Sequence, residues 1–269
     1  MGLVATDALR AERAEAAYWA TYARNIPTTD DTRDTGAIPV AGGYAICLQG
    51  TSIHYGLGVG ISRPLRADDL QVVDEFYGSR RLPSRLELHP LVAERDAAIV
   101  ARWGYLPERA VVILEREIGA DPAIPLTFGV ETLTTRKLEW TELVVAGLMD
   151  TVPEADLGCV RRTAYVCASA ASALVAIRVD GRLAGGGALG VTGDAAFLFC
   201  ASTLPEYRRR GVHTALIGAR LALGRSRGAT YAIMTAAPDS DALASAQAAG
   251  FTATYVRQRL QKSEGLKAP

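Results

Sequence analysis

The residues best suited to chemistry fall in one stretch, FLFCASTLPEYRRRGVHTALIGARLAL, residues 197–223. An apolar strand runs into Pro205, and a basic turn ending in Gly211 follows. A long amphipathic helix then carries Val212, Leu216, Ala219 and Leu223 on one face. Such a turn leaves backbone N–H groups unpaired at a helix N-terminus, where the helix dipole is positive. Gly211 lets a ligand approach the backbone, Thr214 offers a hydroxyl, and Arg208, Arg209 and Arg210 add charge. Together these describe a diphosphate site. The bland alternative is an ordinary strand–turn–helix with a solvated arginine face.

Other chemistry has less support. Four cysteines (Cys47, Cys159, Cys167, Cys200) and three histidines (His54, His89, His213) form neither CxxC nor HExxH, so no metal site is expected. The cysteines read as small apolar side chains in a reducing cytoplasm. Gly56-Leu-Gly-Val-Gly60 lacks the third glycine of a dinucleotide loop and is followed by Pro64, so it reads as a glycine-rich strand or bulge. Neither GxxxxGK followed by Ser or Thr, nor GxSxG, occurs, which leaves NTPase and serine-hydrolase readings without support. Lys plus Arg and Asp plus Glu both number 29, giving no global attraction to nucleic acid or an anionic membrane. The arginine cluster also lacks the interleaved aromatics of a nucleic-acid surface.

The N-terminal MGLVATDALRAERAEAAYW carries charges where a signal peptide needs an apolar run, and reads as an amphipathic helix. Met1-Gly2-x-x-x-Thr6 fits a myristoylation pattern too short to weigh. The uncharged Thr163–Ile177 is too short and too rich in Ala and Ser to span a bilayer. A cytoplasmic protein without membrane partners is the expectation.

The 269 residues, 49% hydrophobic and 22% charged, suffice for two ordinary domains. In the first half, strands are expected over 42–48 and 52–61, a helix over 67–79, a strand at 85–88, a helix over 93–102 and a strand over 109–117. Residues 119–128, with Pro122 and Pro125, suit a linker. The second half begins with a helix over 136–149. A hairpin follows, 172–179 and 182–190, turning at Asp180-Gly181. A strand over 195–202, the helix described above, a strand over 230–235, a helix over 241–248 and a strand over 252–260 complete it. Gly185-Gly186-Gly187 is expected to admit another backbone close to its strand. The endings match: strand, His89-Pro90, helix, Trp103-Gly104-Tyr105, strand; then strand, Ala237-Pro238, helix, Ala249-Gly250-Phe251, strand. Two copies of one fold, the first eroded, is the economical reading.

Arg208-Arg-Arg-Gly211-Val-His213 resembles the cofactor motif of the GNAT acyltransferase superfamily, which runs Arg or Gln, two residues, Gly, one residue, Gly or Ala. His213 departs from it. Pro205-Glu206-Tyr207 stands at the family's lead-in and Gly250-Phe251 at its later Gly-Phe. The resemblance covers residues 130–262, and the first half matches in outline. It implies an α/β (mixed α+β) fold of two tandem GNAT-like domains, each a mixed, mostly antiparallel sheet flanked by helices. Residues 1–130 would be a degenerate copy and 131–269 the acetyltransferase domain.

The resemblance further implies a V-shaped splay between residues 195–203 and 230–235. There the pantetheine arm of acetyl-CoA would bond main chain near Ser202 and Thr203. The pyrophosphate would sit on the amides of Arg208, Arg209, Arg210, Gly211, Val212, His213 and Thr214. An amine would attack the thioester directly, with a main-chain N–H polarising the carbonyl. The family's acid, a Tyr four residues before the later Gly, is replaced by Ala246, and Asp239 stands roughly where an Asn is common. Ser245 and Tyr255, with Tyr207 behind them, are the stand-in catalytic candidates. A thiol pKa near ~8.5 lets coenzyme A leave without a dedicated acid. His213 reads as a cofactor contact ahead of a general base, and Glu139, Glu142, Glu154 and Asp156 leave the base unassigned. The expected activity is acetyl-CoA-dependent N-acetylation of a small-molecule primary amine. The alternatives are an inactive acyl-CoA-binding or sensor protein and, behind it, a nucleic-acid-binding module. Acceptor, acyl chain and oligomeric state, monomer or homodimer, stay open.

Overall fold

The computed structural model describes residues 9–119 and 128–263. The Met1-Gly2 pattern and all but the edges of the expected linker lie outside them. The described chain forms two compact units. One holds residues up to Gln49, Ile53–Val112 and the residues from Tyr255; the other holds Gly50–Ser52 and Ile113–Thr254.

The first unit contains α1 (Arg10–Asn25), β1 (Gly36–Val40), β2 (Gly43–Cys47), β3 (His54–Leu57), α2 (Ala67–Gly78), β4 (Arg85–Leu88), α3 (Pro90–Arg95) and α4 (Ala97–Arg102). β1, β2 and β3 are antiparallel, and β3 runs parallel to β4. The stripe expected on α2 is the core: Leu70, Val73, Phe76 and Tyr77 pack with Leu86 and Leu88 of β4. Asp69 accepts from Arg66 N–H at the start of α2, as its first-turn position favours.

The second unit contains β6 (Gly129–Thr132), α5 (Lys137–Ala146), α6 (Leu157–Ala170), β7 (Ala173–Val179), β8 (Arg182–Thr192), β9 (Ala195–Thr203), α7 (Val212–Ser226), β10 (Tyr231–Ala236) and α8 (Asp241–Ala248). β6 to β9 pair antiparallel in sequence order, and β9 pairs parallel with β10. Apart from Arg178, which pairs with Glu131, β7 is apolar because both its faces are covered. Leu174 and Ala176 pack with Trp140 and Ala164 of α5 and α6, while Val175, Ile177 and Val179 pack with Ala215 and Leu216 of α7. The hairpin turns at Asp180 (φ 49) and Gly181 (φ 77), as expected. Helix α6 went unforeseen. Its buried face, with Ala164, Cys167 and Ala168 at helical spacing, is made mostly of small side chains.

Two strands cross the unit boundary along the chain. β5 (Tyr105–Glu117) passes from the first unit into the second at Val112–Ile113, and β11 (Thr252–Lys262) returns at Thr254–Tyr255. A division at residue 130 assigns residues 255–269 to the second unit; the described ones group with the first, where β11 pairs antiparallel with β4, Gln258 opposite Leu88 and Leu260 opposite Leu86. The two halves share an element order of three antiparallel strands, helix, parallel strand, helical segment and closing strand. Gly104 (φ 85) and Gly250 (φ 82) end the matching helices in the left-handed conformation that favours glycine.

Candidate acyl-CoA site

In the second unit β9 and β10 pair only over Ala195–Phe197 and Tyr231–Ile233. Beyond that point Leu198, Phe199 and Ala201–Thr203 pair with β8 and not with β10, so the two strands part as a splay opening toward the end of β9. At the throat of the splay the β8–β9 register slips between Gly187 and Ala188, with Ala201 opposite Gly187 and Phe199 opposite Ala188. Cys200 is the extra residue of this β-bulge and adopts φ 46. A bulge frees main-chain groups from the ladder, and this one does so where the strands separate. Nothing in the sequence marked Cys200 for this role.

After β9 a single 3-10 turn, Pro205–Tyr207, leads into the basic turn. Two left-handed residues, Arg209 (φ 58) and Gly211 (φ 84), shape it. A side chain at Gly211 would meet nothing closer than Phe128, 3.9 Å away, so glycine is needed for the backbone angle and not for room. No side chain caps α7, so the N–H groups of its first turn, at Val212, His213 and Thr214, have no capping acceptor.

The predicted ligand-binding side chains divide. Arg209 and Arg210 are exposed; Arg210 lies over the Tyr207 ring at 5.4 Å and 3.9 Å from Asp180. Arg208 instead straps the turn to the end of α5. It donates to both Asp150 oxygens (2.5 and 2.7 Å), to Gly147 O (2.9 Å) and to Thr203 O (3.3 Å). Its charge is therefore met by Asp150 rather than left for a ligand. Ser202 is buried and donates to Val144 O, while the buried Thr203 Oγ1 has no partner.

The His213 side chain turns inward. Burial, and then the charge of Arg220, push its pKa down to about 4, and its Nε2 has no partner. A neutral imidazole facing the interior does not reach a pyrophosphate on the outer turn, which leaves its main-chain N–H as the available contact. Arg220, two turns along α7, is fully buried and was not singled out by the sequence. Gly186 faces the Trp140 indole and Gly187 the Arg220 guanidinium, so of the three glycines expected to admit a backbone only Gly185, against Ser202 O, does so.

The acid–base candidates also separate. Ser245 lies half-buried on α8, whose N-cap is Ser240, not Asp239; Ala246 is fully buried. Tyr255 belongs to the first unit, where its hydroxyl donates to Glu12 (2.7 Å) and its ring lies 4.4 Å from that of His89. It forms part of a buried charge cluster. Arg257 binds Glu12 (2.6 Å), Glu15 (2.7 Å) and Glu87 (3.3 Å), and Arg259 binds Glu87. Burial would pull the Arg257 pKa down, but the three carboxylates outweigh it and hold it well above the usual value. Burial raises Glu15 despite Arg257, with Glu87 and Glu12 adding to the rise. The Tyr255 hydroxyl, raised by burial and then by Glu12, is thus committed to this cluster. Glu139 pairs with Arg136 and Glu142 with Arg161 on the exposed faces of α5 and α6. Among the described residues no group of three or more His, Cys, Asp or Glu is arranged for a metal ion, and no helix is long and apolar enough to cross a membrane.

Residues 135–251 match the Acetyltransferase (GNAT) family. No curated protein matches the chain. Solved structures similar to it include a GCN5-related N-acetyltransferase from Kribbella flavida, 14% identical, covering 98% of this chain and 97% of that one with a TM-score of 0.63. A tandem GNAT protein from the clavulanic acid biosynthesis pathway is 17% identical over 97% of each chain, with a TM-score of 0.58. A GCN5-related N-acetyltransferase from Sphaerobacter thermophilus is 16% identical over 96% of this chain and 93% of that one, with a TM-score of 0.53. The chain has the GNAT fold, and its segment 135–251 fits the GNAT superfamily, whose general activity is acyl-CoA-dependent acetyl transfer.

Proposed function

We propose that the protein is an acetyl-CoA-dependent N-acetyltransferase acting on the primary amine of a small molecule, by direct attack on the thioester. The observation that carries this reading is the splay of β9 from β10 beside an uncapped helix N-terminus and a left-handed glycine turn. The first-turn amides of α7 and the exposed Arg209 and Arg210 suit a pyrophosphate. Unpartnered Thr203 Oγ1 and the main chain of β9 suit a pantetheine arm in the splay. The main chain freed at Cys200 suits the thioester carbonyl. The amine lone pair would bond to the carbonyl carbon as the π pair moves to oxygen. That pair returns as the C–S bond breaks with its electrons on sulfur, and the ammonium proton passes to solvent.

The second reading, an acyl-CoA-binding or sensor protein without turnover, draws on the buried Ala246 where the family carries an acid. Calorimetric titration with acetyl-CoA, followed by turnover against a panel of primary amines, separates the two. Micromolar one-to-one binding with turnover is the expected result; binding without turnover selects the sensor. Gly211→Val, which forces a β-branched residue to φ 84, should weaken acetyl-CoA binding by at least about 10-fold. Unchanged affinity would place the pyrophosphate elsewhere.

A further inference from the structure

Helix α7 buries a positive charge among main-chain groups. Arg220 is 0% exposed; its Nε donates to Leu216 O (3.0 Å), its Nη1 to Ala188 O (3.3 Å), and its Nη2 has no partner. Burying a guanidinium against carbonyls alone is costly, and a Met would fill similar space without that penalty. The place the guanidinium reaches supplies a reason. A Cβ added at Gly187 would lie 2.9 Å from Arg220 Cζ, so the group lies flat on β8 beside the register slip. On the opposite strand, Cys200 holds a left-handed angle unfavourable for a residue with a side chain. A bulge interrupts the ladder, and Nη1 donates to Ala188 O at that interruption. Phe197, the last β9 residue paired with β10, lies just before it.

We propose that Arg220 is a positioning residue: by pinning Ala188 it holds the Cys200 bulge in the conformation that presents its main chain to the thioester carbonyl, with its charge behind the developing oxyanion. The function assigned to the bulge rests on the acyltransferase reading. The pinning does not. Gly187 is then required because the guanidinium occupies the space of a side chain.

The test uses Arg220→Met, Arg220→Lys and Gly187→Ala in the full chain. Each is measured for acetyl-CoA affinity by calorimetry, kcat and KM with an accepted amine, and amide hydrogen exchange over residues 199–201. Arg220→Met should keep the acetyl-CoA Kd within about 3-fold while kcat falls by about 100-fold. Arg220→Lys should recover part of the loss. Gly187→Ala, which displaces the guanidinium without removing it, should lower kcat similarly, and the double variant should be no worse than Arg220→Met. Exchange at 199–201 should rise in Arg220→Met and Gly187→Ala while remaining unchanged over β7. If Arg220→Met does not fold, Gly187→Ala and Arg220→Lys carry the same comparison. A parental chain that acetylates no amine defeats the acyltransferase reading, and the exchange data then decide the pinning alone. Unaltered exchange at 199–201, or a kcat loss matched by an equal loss of acetyl-CoA affinity, overturns the proposal.

Discussion

His213 and Arg208 are both motif residues, and both point away from the ligand the motif suggests. Arg208 neutralises Asp150, and the exposed Arg209 and Arg210 are left as the turn's available charges. His213 has a measurable consequence. Its folded pKa, about 4, lies below the ordinary 6.5, so the unfolded chain binds more protons between those values. Stability from this residue is present above pH 6.5 and is lost as pH falls toward 4, by up to about 3 kcal/mol. His213→Gln should flatten the rise of urea-unfolding free energy over that range. His89 is also depressed, mainly by burial, so a residual slope will remain. An unchanged slope would mean that the imidazole is solvated.

The helices explain which motif positions can be repaired. Ala246 stands where the family acid would be, but its side chain is completely buried on α8, whose neighbour Ala249 is also buried. Ala246→Tyr should therefore not add a proton donor. It should overpack the helix against the unit and cost roughly 1–3 kcal/mol. A thermal melt paired with kcat measurement checks this; a gain in kcat at unchanged stability would show that the phenol finds a way into the site. The basic turn before α7 is held instead by a strap between elements, from Arg208 to Asp150 and to Gly147 at the end of α5.

Across the whole molecule, β11 belongs to the first unit from Tyr255 onward. β11 brings Arg257 and Arg259 to Glu12, Glu15 and Glu87, carboxylates that are otherwise buried together. A fragment of residues 1–130 therefore lacks both a strand for the edge of β4 and the cations for three carboxylates. It should show no cooperative unfolding transition by circular dichroism, since stranding a buried charge costs about 3–5 kcal/mol. A peptide of residues 252–263 should restore order. Cooperative melting of the fragment alone would contradict the assignment of β11.

Local signals were enough for much of the fold and for the left-handed turn before α7. Asp180-Gly181 specifies its hairpin because few residues tolerate its backbone angles, and the stripe Leu70, Val73, Phe76 and Tyr77 specifies α2 because helical spacing selects one face. Gly211 and the arginines mark the turn for the same local reason. Tertiary structure decided what depends on neighbours distant in sequence. The bulge at Cys200 exists only in register with β8, and Arg220 reads as an ordinary helix residue until Gly187 and Ala188 are placed beneath it. Tyr255 likewise became a partner of Glu12, 243 residues away, because strand pairing places β11 beside β4. Angles and spacing act within a few residues, whereas pairing register and the partners of buried charges are set by the folded chain as a whole.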